Sequence, residues 1–240
     1  MSRDFDSLGS DMATPYDIVH LTEVGSTQDE AARRFANTGS PVLVVADRQV
    51  KGRGRQGRSW QQPDRAMFSS LAVDTNWKPE HRTLVPLITG VVVSEEIALI
   101  ARVVASLKWP NDILVPDGKA GGILVEVSGN RMTVGCGINL WWADPIEGAA
   151  AIFSDDPGPT AATELAMAWA TALLAELQAE SGVWRASDYE ALSVTLGREV
   201  AWEGGTGTAA SITESGALVV TTSEGNIAVH AGDVHMRGWR

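Results

Sequence analysis

Cysteine and lysine are scarce in this chain of 240 residues. Cys136 is its one cysteine, and its lysines are Lys51, Lys78, Lys108 and Lys119. A lone cysteine cannot form an intrachain disulfide, which excludes a disulfide-stabilised scaffold. The 4 histidines are scattered without metal-ligand spacing to one another or to the cysteine, so we predict no zinc site built by the protein.

Long apolar runs are also missing. The most apolar stretch, 84–100, is interrupted by Pro86, Glu95 and Glu96, which argues against a membrane span. The first residues are polar and acidic and lack the apolar core of a signal peptide. The sequence therefore predicts a cytoplasmic protein that binds no membrane.

Positive charge is in short supply, since the formal net charge is −11. Long-range repulsion disfavours general binding to nucleic acid or to anionic lipid. Apolar residues make up 44% and charged residues 20% of the chain, which is typical of a folded domain. The length predicts one sizeable domain with room for a small appendage.

Hydrophobic periodicity predicts strands and helices up to about residue 196, followed by short strands between glycine-bearing turns. Residues 1–16 are predicted to be a loose tail, and Ser26 and Thr27 to cap the first helix. The last segment predicts a small β-barrel of about 40 residues. The predicted helices are 30–36, 84–102, 160–180 and 187–196; the predicted strands are 41–46, 67–73, 106–108, 113–115, 123–127, 132–140, 199–202, 210–213, 218–222 and 226–230.

The sharpest feature is the glycine-arginine loop, residues 49–60, which reads QVKGRGRQGRSW. Residues 48–58 carry five positive charges and no acid (Arg48, Lys51, Arg53, Arg55 and Arg58). Their repulsion indicates either a bound anion or free solvent. Interleaved glycines let backbone N–H groups approach a ligand, and arginine forks suit phosphate and carboxylate oxygens.

Other interpretations of this loop stay open. Gly52, Gly54 and Gly57 match the G-x-G-x-x-G spacing of a dinucleotide site, but 58–63 is a poor helix start and that site must open a helix. A solvated basic loop is the plainer alternative. A nucleic-acid-binding arm is disfavoured because the run is short and the chain acidic.

Three further segments contain candidate site residues. Lys108 stands between an apolar strand and Trp-Pro, which indicates a functional amine or an ion pair with Asp112. The glycine pair 121–122 at the mouth of a strand permits a flat ligand against the backbone, or marks a β-bulge. Cys136 has no base nearby in sequence, so we interpret it as small-residue packing rather than as a nucleophile.

Taken together, five motifs resemble the biotin protein ligase family. They are GSTQDEA at 25–31, GRGRQGRSW at 52–60, KWPND at 108–112, KAGGILVE at 119–126 and GCGINL at 135–140. The resemblance is strong over about 20–140. It implies an α/β (α+β) fold, with a mixed-sheet catalytic domain and flanking helices at 17–195, and a small SH3-like barrel at 196–240. Few residues precede the first motif, which implies the ligase-only type without an N-terminal DNA-binding domain.

The resemblance also implies site residues, with Lys108 and Arg55 as the catalytic pair. The implied biotin site comprises Ser26, Thr27, Gln49, Gly52, Arg53, Lys108, Gly122, Gly135 and Gly137, with Gly121 in the pocket wall. The implied adenylate site comprises Arg55, Arg58, Trp60, Lys119, Asn139 and Arg237. Gln28 stands where the family often has asparagine, and we assign it no role.

The implied reaction activates biotin with ATP to biotinyl-5'-AMP and then transfers biotin to a lysine of a biotin carboxyl carrier protein domain. Mg²⁺ is expected to accompany ATP. The glycine-arginine loop is expected to close over the adenylate, and the protein to be a monomer or weak homodimer without a specific nucleic-acid partner. Two alternatives remain: a lipoate-type ligase on a related fold, and a non-enzymatic nucleic-acid-binding protein that uses the loop.

Overall fold

The computed structural model describes residues 14–54, 60, 62–230 and 234–236. Within them the chain forms a seven-stranded mixed sheet and a five-stranded antiparallel sheet. The first sheet has the order β1-β2-β3-β7-β6-β5-β4, in which β1 and β2 are parallel and every other pair is antiparallel. Its strands are β1 (Asp17–Val24), β2 (Val42–Gln49), β3 (Arg65–Asp74), β4 (Ser106–Lys108), β5 (Asp112–Val115), β6 (Gly118–Ser128) and β7 (Arg131–Trp141).

Helices cover both faces of this sheet. Alternation along β2 shows why: Val42 and Val44 pack with Phe35 on the α1 face, while Leu43 and Val45 join the larger core on the opposite face. The α2 and α3 helices pack against each other over that larger core. The helices are α1 (Thr27–Thr38), α2 (Val85–Ile100), α3 (Ala161–Leu177) and α4 (Ala186–Leu192), with a 3-10 helix (Pro79–Leu84) leading into α2.

The helical stretch Pro79–Ile100 is long and apolar enough to cross a membrane by length and composition. However, 61% of its most apolar window is buried, because α2 packs against α3, α4 and β6. Its apolar character is therefore explained by its position in the core.

The C-terminal sheet shares the main core. Val200, Leu218 and Val220 belong to the same buried cluster as the first sheet. The indole nitrogen of Trp109 donates to the carbonyl of Gly216 at 3.0 Å, which ties the β4–β5 link to this sheet. Its strands are β8 (Glu199–Trp202), β9 (Gly205–Ile212), β10 (Leu218–Thr222), β11 (Gly225–Val229) and β12 (His235–Met236).

The predicted fold class is confirmed, with differences in detail. The edge strand β1 was not predicted, because none of its residues is fully buried and half of them are exposed. The predicted helix 187–196 ends early, since Ser193 is extended and the N–H of Val194 donates to Leu107. Ser26 occupies the N-cap position of α1 but makes no capping bond with its side chain. The domain boundaries stay predictions.

Candidate active site

A cavity of about 270 Å³ opens between the N-terminus of α1, the β4–β5 link and the middle of β6 and β7. It brings together residues from all five of the sequence motifs. The described lining is Ser26, Thr27, Gln28, Gln49, Arg53, Gly54, Trp60, Phe68, Ser69, Lys108, Trp109, Pro110, Asn111, Asp112, Lys119, Gly122, Ile123, Leu124, Gly135, Cys136, Gly137, Val234 and His235.

Most of the predicted site residues lie in this lining. Gly52, Gly121 and Asn139 do not belong to it, although all three are close neighbours of residues that do. Arg55, Arg58 and Arg237 lie outside the described residues, so their roles stay predictions. The predicted residues in the lining are Ser26, Thr27, Gln49, Arg53, Trp60, Lys108, Lys119, Gly122, Gly135 and Gly137.

One end of the cavity is neutral and tightly hydrogen-bonded. The backbone N–H of Thr27 donates to Oε1 of Gln49 at 2.7 Å, and its hydroxyl reaches the same oxygen at 3.1 Å. The hydroxyls of Thr27 and Ser70 lie 2.9 Å apart. Because α1 and β2 follow β1 directly along the chain, this neutral end is built from neighbouring elements. It offers hydroxyl and amide groups in a fixed arrangement.

Gln28 belongs to the same end, although the sequence assigned it no role. Its side chain is 3% exposed. Its amide nitrogen donates to the carbonyl of Thr133 at 2.9 Å and approaches that of Leu124 at 3.4 Å. Among the described residues its Oε1 has no hydrogen-bond partner. The alternation of buried and exposed residues expected for α1 could have placed Gln28 inside, but its partners on β6 and β7 are about a hundred residues away.

The other end of the cavity is charged. Lys108 ends β4 and Asp112 begins β5, and the two residues pair across that hairpin. The amine of Lys119 lies 2.6 Å from Oδ1 of Asp112, whereas the amine of Lys108 lies 3.7 Å from Oδ2. Lys108 thus forms a long ion pair and also faces the cavity, and its role as a functional amine stays a prediction. One carboxylate with two amines leaves an excess positive charge for an anionic ligand.

The indole of Trp60 lies across two glycines of β6 and β7. A Cβ added at Gly122 or at Gly137 would come within 3.4 Å of the ring, so these positions allow the indole to approach the backbone. The amine of Lys119 lies 6.0 Å from the ring centroid, at the outer limit of a cation–π contact. Trp60 thus forms an aromatic wall beside the charged end.

Arg53 is held by acids on two other elements. Its guanidinium donates to both carboxylate oxygens of Asp29 at 2.7 and 2.8 Å and to Glu126 at 3.2 and 3.3 Å. The hydrogen bonds from Arg53 lower the pKa of Asp29, and Asp29 in turn raises that of Arg53. These contacts fix the start of the glycine-arginine loop against α1 and β6.

Two polar residues of β7 are buried near the cavity. Asn139 donates its amide nitrogen to the carbonyl of Ala150 at 2.9 Å, and its Oδ1 has no partner among the described residues. Burial strongly raises the pKa of the Cys136 thiol, which agrees with packing rather than nucleophilic chemistry. The adenylate role of Asn139 stays a prediction.

The C-terminal sheet contributes Val234 and His235 to the lining. Sequence reasoning looked only to Arg237 in this segment. No pattern of residue spacing indicates which end of a distant sheet meets the β4–β5 link, so nothing in the sequence singles out these two residues. The cavity therefore extends across both sheets.

No cluster of three or more potential metal-ligating residues occurs in the part of the chain that the structure describes. Asp112 is the one carboxylate in the described lining, and two lysines hold it. This donor set does not fit a resident metal.

Comparisons with known proteins agree on one family. The biotin/lipoate A/B protein ligase family matches residues 20–141. The biotin–[acetyl-CoA-carboxylase] ligase of Mycobacterium tuberculosis is 34% identical over 90% of this chain and 88% of its own length. The bifunctional ligase/repressor of Escherichia coli is 31% identical over 50% of this chain, which spans only 39% of that protein.

Solved structures give the same result. The biotin protein ligase from Aquifex aeolicus in complex with biotin and ATP matches with a TM-score of 0.78 and 28% identity, over 92% of this chain and 98% of that one. Its likeness extends over most of both chains, as does that of the Mycobacterium tuberculosis sequence. The chain therefore belongs to the biotin/lipoate A/B protein ligase family.

Proposed function

We propose that this protein is a biotin protein ligase, which activates biotin with ATP to biotinyl-5'-AMP and transfers it to a lysine of a biotin carboxyl carrier protein domain. One observation carries the proposal: Lys108 and the described part of the glycine-arginine loop line the same cavity, whose other end is neutral. Biotin has a matching shape, with a neutral ureido ring at one end and a carboxylate at the other. The names of the Mycobacterium and Aquifex proteins support this assignment.

The first half-reaction joins two anions. The carboxylate of biotin attacks the α-phosphorus of ATP, an acyl–phosphate bond forms, and the bond to pyrophosphate breaks. Without positive charge nearby, the carboxylate of biotin and the phosphates of ATP would repel each other. The amines of Lys108 and Lys119 line the cavity and stabilise the charge that develops on the phosphate oxygens. Asp112 keeps both amines close to the reacting groups.

The neutral end orients biotin for this attack. Thr27, Gln49 and Ser70 already bond to one another, so little ordering is required when the ligand binds. The indole of Trp60, which packs on the glycines beneath it, offers an apolar wall along which the valeryl chain would lie between the two ends. Because the ligand is held at both ends of the cavity, its carboxylate stays near the phosphate, and this proximity favours the reaction.

In the second half-reaction the lysine amine of the acceptor attacks the mixed anhydride and AMP leaves. The expected acceptor is a biotin carboxyl carrier domain, in keeping with the name of the Mycobacterium tuberculosis relative. Mg²⁺ would neutralise the phosphates of ATP. The cytoplasmic location and the monomeric or weakly dimeric state stay predictions.

The proposal is tested by incubating the protein with biotin, ATP, Mg²⁺ and a biotin carboxyl carrier domain, and weighing the carrier by mass spectrometry. We expect a mass increase of one biotinyl group that requires ATP and the carrier's target lysine. A carrier with that lysine changed to arginine is the control. Modification with lipoate in place of biotin, or none with either acid, would contradict the proposal.

A further inference from the structure

A buried tyrosine hydroxyl behind the charged end of the cavity has no role in the reaction described so far. Tyr189 lies on α4, which follows the last of the five motifs along the chain, and it is only 1% exposed. Its hydroxyl has no hydrogen-bond partner among the described residues. Since most buried polar groups in folded proteins have such a partner, the unpaired hydroxyl calls for an explanation.

The chain that follows α4 is bonded to β4 and its link to β5. The N–H of Val194 donates to the carbonyl of Leu107 at 2.9 Å, and the N–H of Trp109 donates to the hydroxyl of Thr195 at 2.9 Å. The helix itself also contacts β4. These bonds hold α4 against the back of the β4–β5 hairpin, and they hold Tyr189 there with it.

Tyr189 lines a second, smaller cavity between α4 and this hairpin. The cavity is too narrow to hold a water molecule, so an ordered water does not supply the missing partner. Its described lining contains one carboxylate, that of Asp112, with Lys108 beside it. Burial, which is the larger effect, and the charge of Asp112 both raise the pKa of Tyr189. The hydroxyl therefore keeps its proton at neutral pH and can act as a donor.

The carboxylate of Asp112 has an oxygen available for a further donor. The amine of Lys119 lies 2.6 Å from Oδ1, whereas the amine of Lys108 lies 3.7 Å from Oδ2, which is beyond hydrogen-bond distance. Both lysines also line the main cavity, where the proposed substrates carry negative charge. When phosphate and carboxylate groups bind these amines, Asp112 loses part of its positive surroundings. A partly buried carboxylate then needs a new donor.

We propose that Tyr189 is a positioning residue, whose hydroxyl donates a hydrogen bond to the carboxylate of Asp112 when the substrates draw the lysine amines toward them. The inference rests on the proposed function and adds a residue to its first half-reaction. A hydrogen bond to an ionised carboxylate is stronger than one between neutral groups. This bond would hold Asp112 and its hairpin in place while Lys108 and Lys119 contact the reacting groups.

The test compares wild type with Tyr189→Phe, which removes only the hydroxyl. We expect kcat of biotin-dependent ATP–pyrophosphate exchange to fall about tenfold, because a hydrogen bond to a charged group is lost. The KM for biotin should stay unchanged, since the neutral end of the cavity is intact. Without substrates the melting temperature should equal or exceed that of wild type, because the removed hydroxyl was unpaired. An unchanged kcat would overturn the proposal, as would a lower melting temperature without substrates.

Tyr16→Phe is the matched control, since Tyr16 and Tyr189 are the two tyrosines of the chain. The hydroxyl of Tyr16 already donates to the carbonyl of Met167 at 3.1 Å and lies 2.8 Å from the hydroxyl of Thr171, outside the lining of both cavities. The control should lower the melting temperature and leave kcat unchanged, which is the reverse of Tyr189→Phe. An equal fall in kcat would mean that loss of any buried tyrosine hydroxyl slows the enzyme, which contradicts a positioning role.

A crystal structure of the wild type keeps the proposal testable if Tyr189→Phe does not fold. The crystals would contain biotin and α,β-methylene ATP, whose α,β bridge cannot be cleaved. We expect the hydroxyl oxygen of Tyr189 within about 3.0 Å of a carboxylate oxygen of Asp112. A hydroxyl that stays unpaired in that complex would overturn the inference while leaving the proposed function intact. Wild-type protein without biotin-dependent exchange would instead refute the proposed function.

Discussion

The two ends of the cavity are built in different ways. At the neutral end Ser26, Thr27 and Gln28 are each less than 5% exposed and are placed on consecutive residues of one helix start. At the charged end the side chains of Lys108 and Lys119 are 22% and 42% exposed and lie on separate strands. Under the proposed function, the biotin-recognising end would therefore be part of the core, whereas the reacting end would stay accessible to ATP and to the acceptor.

The largest effect is expected from Lys108→Ala at the charged end. Loss of this amine removes charge stabilisation during attack on the phosphate, so biotin-dependent ATP–pyrophosphate exchange should fall by about 10³-fold. Lys78→Ala, at an exposed lysine outside the cavity lining, should behave like wild type. Exchange that survives in a folded Lys108→Ala protein would remove Lys108 from the mechanism.

A smaller effect is expected from Thr27→Val at the neutral end. The change keeps the shape but removes the hydroxyl bonds to Gln49 and Ser70, so biotin should bind about ten- to a hundredfold more weakly in calorimetry. The control is Thr89→Val, whose buried hydroxyl donates within α2 outside the cavity lining. This control should lower the melting temperature without changing the affinity for biotin. If Thr89→Val weakened biotin binding as much as Thr27→Val, the effect at Thr27 would reflect stability rather than recognition.

A modest, salt-dependent effect is expected from Asp29→Asn. Arg53 would lose its bidentate partner, and the start of the glycine-arginine loop would be held less firmly. Biotin should dissociate about two- to fivefold faster at low salt, with the difference vanishing near 0.5 M salt because exposed ion pairs are screened. Glu23→Gln, which breaks the exposed pair with Arg48, should leave the dissociation rate unchanged. A salt-independent change would argue against the ion pair.

The smallest effect is expected from Cys136→Ala. Burial raises the pKa of this thiol, so the thiolate is absent at neutral pH and the native protein should resist alkylation by iodoacetamide. Adenylate formation by the variant should stay within about twofold of wild type, since the change only shortens a packed side chain. Rapid alkylation that is coupled to loss of activity would show that the thiol takes part.

The sequence predicted the site best where function depends on local motifs. The glycine-arginine loop and the Lys108 segment are continuous in sequence, so residue type and spacing could mark them as candidate anion-binding segments. Contacts between distant segments could not. Gln28 meets carbonyls on β6 and β7, and His235 reaches the cavity from the other sheet.

The helices and strands were likewise predicted well where local signals decide and poorly where distant contacts decide. Helices α1 and α2 were predicted because their patterns and end signals are strong, and Gly39, with a φ of 70°, does end α1. Strand β1 was missed because an edge strand buries few side chains and lacks clear alternation. The end of α4 was misplaced because a hydrogen bond to Leu107, some ninety residues earlier, draws Val194 into extended pairing.

The bond from the Trp109 indole to Gly216 has a consequence for protein engineering. The residue that receives it sits in a turn of the last sheet, so grafting a foreign C-terminal segment onto this ligase would also replace a support of the lysine-bearing hairpin. A chimera that preserves every residue of the motifs could still misplace Lys108. A chimera built from two relatives should therefore take the turn 213–217 and Trp109 from the same parent.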